Sequence, residues 1–182
     1  PRDQAEQPLA EVAVEFPDNF LLIELCGEFD RNLAEIETKL SVQILRRGNH
    51  LVAMGERPSA EAAVAVLRAL YARLEAGRPV ESADIDREFV IQARRREAKA
   101  KAAEDAGNRV TARECYFIAS LLWATARWPI HSATEALLEM EVKMNECFEK
   151  FIQFADRPIE RVEIAFGDQF LPAYLHLPHS PA

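Results

Sequence analysis

Apolar and polar residues alternate over Leu9–Phe16, putting Val12, Val14 and Phe16 on one face and predicting a strand. Pro17 ends it. Asp18 stands where it can cap a helix over Asn19–Cys26, whose apolar stripe is Leu21, Leu22 and Leu25. Gly27 stops that helix, as a residue in left-handed conformation does. A second short helix is predicted behind it, with Asp30 as its cap and Leu33, Ile36 and Leu40 at helical spacing. Val42–Arg46 reads as a strand, Arg47-Gly48-Asn49-His50 as a turn and Leu51–Met54 as the return strand. Ser59 is the expected cap of a long helix, Ala60–Ala76, which turns Ala63, Val66, Leu67, Leu70, Tyr71 and Leu74 inward. Gly77 and Pro79 close it. The predicted order to this point is β-α-α-β-β-α.

Ser82 opens a further helix to about Ala106, with Ile85, Phe89 and Ile91 in its first turns. Its later part, Arg94–Ala103, is charged and Ala-rich and reads as a solvated helical linker rather than a basic binding patch. Thr111–Arg127 is strongly amphipathic through Tyr116, Ile118, Ala119, Leu122 and Trp123. Trp128-Pro129-Ile130-His131 is expected to be a loop. Ser132 or Thr134 then caps a helix to about Phe154, with Leu137, Met140, Met144, Cys147, Phe148 and Phe151 inward.

Glu160–Phe166 alternates as a strand, Gly167-Asp168 turns, and Phe170–Leu177 returns. A two-stranded hairpin is marginal alone. This one carries Val162, Ile164 and Phe166 on one strand and Leu171, Ala173, Leu175 and Leu177 on the other. It is expected to fold back onto the two preceding helices and to keep an edge able to form a homodimer. The fold class is therefore α+β, in three stretches. Residues 8–80 form a β-α-α-β-β-α module, 81–107 a helical linker, and 108–182 a helical hairpin followed by a β-hairpin.

Charge narrows the function classes. The chain of 182 residues has a formal net charge of −8. Residues 1–77 hold 8 basic and 13 acidic side chains. Tight non-specific nucleic-acid binding needs a basic footprint, so any such contact must be a local patch. No apolar run approaches the roughly 18 residues that cross a bilayer, so no membrane partner is expected. The start, Pro1-Arg2-Asp3-Gln4, is polar and acidic, unlike a secretory signal, and lacks an initiator Met; a trimmed chain or fragment in the cytoplasm is expected.

Cys26, Cys115 and Cys147 are isolated in helical apolar patterns and read as buried free thiols, with no disulfide framework or zinc cluster. His176 and His179 lack a third ligand nearby, so no metal is expected, and no cofactor. His131 reads as a loop residue. Ser120, Ser132 and Ser180 have no evident His–acid pairing. Neither G-x-x-x-x-G-K-[ST] nor G-x-S-x-G occurs, and no catalytic residue is predicted.

Two short helices joined by a Gly turn between strands resemble a KH-type nucleic-acid-binding module. More specifically, residues of about 8–92 resemble the N-terminal domain of PhoH-family proteins. The matching stretches are Phe16-Pro17-Asp18-Asn19, Gly27–Glu37, Arg47-Gly48-Asn49 and Leu70–Val80. In that family the domain precedes a P-loop ATPase associated with RNA metabolism. The resemblance implies that the turn Gly27-Glu28-Phe29-Asp30 lies where a GxxG loop meets a phosphate backbone. Here Asp30 takes the place of the last Gly, and Phe29 stands where His is usual. Glu28 and Asp30 would repel phosphate. Arg31, Lys39, Arg46 and Arg47 could compensate if they line the same groove.

From about residue 98 to 182 the chain is similar to another group. This is the helical N-terminal segment of α/β-hydrolases of the 2,6-dihydroxypseudooxynicotine hydrolase family. The matching residues are Gly107–Tyr116, Ala126–His131, Pro158–Ile164 and Leu171–Pro178. There the hairpin starts the main sheet, and the nucleophile elbow comes later. The chain thus looks like the front piece of one protein joined near residues 92–98 to the front piece of another. The expected function is a non-catalytic module whose N-terminal half binds single-stranded RNA. The alternatives are a hydrolase fragment, an esterase or C–C hydrolase without its catalytic domain, and a protein-interaction adaptor.

Overall fold

The structure, a computed structural model, describes residues 9–127 and 134–178. It is a mixed α and β chain. β1 (Ala10–Glu15) is followed by α1 (Asn19–Cys26), a single 3-10 turn at Glu28–Asp30, and α2 (Arg31–Leu40). β2 (Gln43–Arg47), β3 (His50–Gly55) and α3 (Arg57–Glu75) complete this part. α4 (Ser82–Asp105), α5 (Arg109–Arg127), α6 (Glu135–Phe154), β4 (Ile159–Phe166) and β5 (Gln169–His176) follow. The expected loop at Trp128–His131, with Ser132, lies outside the described residues, as do His179 and Ser180.

β1, β3 and β2 form an antiparallel sheet in that order, so the last strand made sits in the middle. Val14 and Phe16 point into the core, as the alternation predicts. α1 is held at both ends. The Asp18 carboxylate accepts from the Phe20 and Leu21 N–H groups, and the Asp18 N–H donates to the Tyr71 hydroxyl at 3.0 Å. The rings of Phe16 and Tyr71 lie 4.6 Å apart. Leu33, Ile36 and Leu40 of α2 are buried together with Leu22 and Leu25 of α1.

Two helix starts differ from expectation. α3 begins at Arg57, with Glu56 at the cap position, and Ser59 is buried in its first turn. The fixed φ of Pro58 suits a first helical turn, which lets the helix start earlier than a Ser cap would place it. Asp30 makes no capping bond to α2, because its own backbone is left-handed, at φ 57°.

The run Arg94–Ala103 is largely exposed, as expected of a solvated helix, except at Ala100; the helix before it carries the apolar residues expected of its first turns. Ile85, Phe89, Ala93 and Ala100 of α4 are fully buried, against α3 at one end and α5 at the other. Buried residues from β1 through α5, with Cys147 of α6, form one continuous apolar cluster. All three cysteines are buried free thiols. Burial and the Glu97 carboxylate push the Cys147 thiol up to about 12.

A two-rung polar ladder ties α4, α5 and α6. Glu97 accepts from Lys143 at 3.0 Å and from the Trp123 indole N–H at 3.3 Å. One heptad on, Glu104 accepts from Lys150 at 2.7 Å and from the Tyr116 hydroxyl at 2.5 Å. Hydrogen bonds from Lys150 first, then Tyr116, hold the Glu104 carboxyl below its ordinary 4.5. A carboxyl depressed on folding stabilises above its unfolded pKa, and that contribution is lost as pH falls through the folded value. Glu104→Gln should therefore lower the melting temperature most above about pH 4.5 and flatten its acid limb, so that variant and parent converge at low pH, as read by calorimetry across pH.

The β-hairpin does not bury a face against α5 and α6, contrary to expectation. Its link to α6 is Tyr174, whose hydroxyl donates to Glu149 at 2.8 Å and whose ring meets Phe148 edge-on at 4.9 Å. Tyr174 shares its face with Arg161, opposite it, so the apolar face carrying Ile164, Leu171 and Leu175 points the other way, into solvent. Met140, Met144 and Phe151 on the inner side of α6 are only partly buried.

Candidate nucleic-acid interface

The Gly27 turn is built from a helix end that cannot continue. Gly27 takes φ 76° and ψ 175°, and its N–H closes α1 onto Ile23 and Glu24 carbonyls. Phe29 and Asp30 follow, both in left-handed backbone at φ 53° and 57°. Non-glycine residues adopt that region at a cost of roughly 1–2 kcal/mol each, and such conformations cluster where backbone shape matters. Asn32 secures the turn from below. Its side-chain amide is buried and donates to the Leu25 carbonyl at 3.0 Å, satisfying an orphan acceptor at the end of α1.

This scaffold presents Phe29 to solvent. Its side chain is 94% exposed, an unusual position for a Phe. Phe20 and Ile23 stand exposed one turn apart on α1. Gly27, Arg31 and Asn32 line one side of a cleft of about 480 Å³, with Leu74, Pro79 and Val80 opposite. The acidic Glu24 and Glu28 also border it.

The basic residues divide into two groups. Arg31 opens α2 beside the turn, and Arg46 and Asp30 each lie close enough to Cys26 to act on its thiol. Burial chiefly pushes the Cys26 thiol up, the Asp30 carboxylate adds to this, and the Arg46 guanidinium opposes it through space. Arg47 follows at the exposed end of β2, opposite His50. Among the described residues, Arg31, Arg46 and Arg47 have no carboxylate at ion-pair distance.

Lys39 does not join them. Its side chain is 9% exposed, and its ammonium is held by Asp86 at 2.5 Å and Glu35 at 3.5 Å. α4 lies across α2 and brings Asp86 onto Lys39, so the charge is spent inside the fold. From another face of α2, Glu37 accepts from the Ile44 N–H at 2.6 Å, pinning β2 beside α2.

No protein-family model matches the chain. A further cleft of about 490 Å³ lies between the start of α3 and helices α5 and α6, floored by Phe117, Ile118 and Phe151. Its arginines are already engaged, Arg57 with Glu61 and Arg113 with Asp156.

The sequence pointed to the Gly27 turn and to Arg31, Arg46 and Arg47, which the structure leaves without carboxylate partners among the described residues. Sequence reasoning missed Asn32, whose buried amide looks like an ordinary helix-surface residue in a one-dimensional pattern. The only signal for it is position: a short polar side chain five residues beyond Gly27 can reach back to the open carbonyls of α1. It also missed Phe20 and Ile23, which read there as unremarkable members of an apolar helix.

Proposed function

We propose that the β1–α3 part binds single-stranded RNA at the Gly27 turn, as the resemblance to KH-type and PhoH N-terminal domains implies, and that the chain acts as a non-catalytic binding module. The observation that carries this reading is an exposed Phe29 on left-handed backbone with Arg31 opening α2 beside it, while Arg31, Arg46 and Arg47 are all free of carboxylate partners among the described residues. The guanidinium groups would meet phosphates, and Phe29 offers a face on which an unpaired base can stack. The N-terminus of α2 adds a favourable dipole for an anion. Glu24, Glu28 and Asp30 oppose it, so binding is weak and local.

The test is fluorescence anisotropy of the whole chain with a labelled mixed-sequence single-stranded RNA, titrated at several salt concentrations. Replacing Arg46 and Arg47 together by Ala should weaken binding and reduce the salt slope by about 0.7 for each phosphate that is no longer neutralised. Salt-insensitive or absent binding at low ionic strength would sink the reading.

One observation favours a second reading as a protein-interaction adaptor. Phe20 is 82% exposed and Ile23 55%, at i and i+3 on α1. A partner helix docking on that pair would be lost in Phe20→Ser and unmoved by salt, the reverse of the nucleic-acid signature.

A further inference from the structure

We propose that the C-terminal hairpin is a self-recognition element: the free edge of β4 pairs antiparallel with β4 of a second copy, with Val162 on the two-fold axis. The proposal is independent of the nucleic-acid reading and rests on which backbone groups the hairpin leaves open.

The β4–β5 ladder fixes those groups. Phe166 and Gln169 close the two-residue turn at Gly167-Asp168. A closing pair of this kind exchanges hydrogen bonds across the hairpin. Every second residue therefore does the same, so the even-numbered positions of β4 bond inward to β5. At the other end the Leu177 N–H donates to the Pro158 carbonyl at 3.0 Å, which agrees with that parity. The odd-numbered positions Ile159, Arg161, Glu163 and Ala165 therefore turn their N–H and C=O groups outward.

β5 obeys the same parity, and Pro172 falls on an outward position, opposite Glu163. It has no N–H to donate, so the outer edge of β5 is interrupted, the usual protection of an edge strand. β4 has no such block. It is the outer strand of a two-stranded sheet, and no other described strand pairs with it.

The side chains then choose the register and the occupant. With Val162 opposite its own copy, Arg161 faces Glu163 of the second chain, and Glu163 faces Arg161. Both pairs occupy outward-bonding positions, so the backbone ladder and the charge pairs agree on one register. Both side chains are exposed, and neither has an ion-pair partner among the described residues. A shift by two residues would lose both opposite-charge pairs. Val162 itself falls on a non-hydrogen-bonded pair, where opposing Cα atoms come to about 4.5 Å. A strand complementary to itself under a two-fold operation points to a second copy of this chain. The resulting four-stranded sheet continues the apolar strip of Ile164, Leu171 and Leu175 across the axis.

Charge reversal with mixing tests the register. By light scattering over a wide concentration range, the protein should rise from 20.6 kDa to about twice that mass. Arg161→Glu and Glu163→Arg should each raise the dissociation constant about tenfold or more, since each sets like charges opposite one another. An equimolar mixture of the two variants should form a heterodimer, because both facing pairs become complementary, and the double variant should regain the original dimer. Val162→Cys supplies a second measurement. Its two sulfurs would meet at a distance suited to a disulfide. Because the three native thiols are buried, mild oxidation should crosslink this variant and leave the unaltered protein monomeric on a denaturing gel. Circular dichroism checks that each variant is folded. A strict monomer at all concentrations overturns the proposal. So does a dimer that survives both single reversals, which would assign association to the apolar face instead, and so does a mixture that stays monomeric.

Discussion

Trp123→Ala should lower unfolding stability by about 3–5 kcal/mol, the range for truncating a buried aromatic side chain. A typical domain has only about 5–15 kcal/mol in total, so the variant should be partly unfolded at ordinary temperature. The indole is 2% exposed and sits where α4 and α5 close on each other. Two effects are mixed in this number, and their sizes differ. The ring contributes through contact area, whereas its N–H contributes one bond to Glu97 at 3.3 Å. Glu97 keeps Lys143 at 3.0 Å, so its charge is not left alone. That ion pair is partly exposed and is worth no more than about 1 kcal/mol. Trp123→Phe keeps most of the ring and deletes the N–H, and should cost about 1–2 kcal/mol. Urea unfolding followed by far-ultraviolet circular dichroism separates the cases. If Phe costs as much as Ala, the polar ladder outweighs packing and the assignment of the energy to the ring is wrong.

The first half of the fold was legible in the sequence because its signals are local. Asp18 before an apolar stripe, Gly27 after it, and strict alternation around Val14 each act within a few residues. Ile85 and Phe89 marked the start of α4, but its later packing against α5 and α6 was not legible, for the opposite reason. Its contact residues are Ala93 and Ala100, too small to mark an apolar stripe, and Glu97 and Glu104, which read as solvated until Trp123, Tyr116, Lys143 and Lys150 arrive from other helices. Lys39 failed in the same way: its partner Asp86 lies 47 residues further along the chain. At the site, the turn and Arg46 could be read from motif and spacing. The availability of each charge depends on tertiary neighbours, which separated Arg31, Arg46 and Arg47 from Lys39. The hairpin strands were legible from period-2 alternation, but the side facing α6 was decided by Tyr174 meeting Phe148 and Glu149.

Gly27→Ala should destabilise the protein by about 2–4 kcal/mol, far more than Gly48→Ala, although both glycines have positive φ. At Gly48, with φ 65°, an added Cβ meets nothing within 4 Å, so the cost is the backbone conformation alone, about 1 kcal/mol. At Gly27, with φ 76°, the same atom falls 2.8 Å from Cγ of Asn32 and 2.9 Å from its Nδ2. Asn32 cannot swing away freely. Its side chain is short and buried, and its amide is committed to the Leu25 carbonyl. Either the turn opens or that bond breaks, and a buried carbonyl left without its donor costs about 1–3 kcal/mol. The double variant Gly27→Ala with Asn32→Ala should recover part of the loss, because the clash disappears while the backbone cost remains. A coupling of about 1 kcal/mol or more in the double-mutant cycle is therefore expected. RNA affinity gives the second readout: Gly27→Ala displaces the backbone that supports Phe29 and should weaken binding under conditions where the protein is still folded, while Gly48→Ala should leave it unchanged. Equal stability losses at the two glycines, with no coupling to Asn32, would mean that the turn yields easily and that its left-handed residues are not held by the amide beneath them.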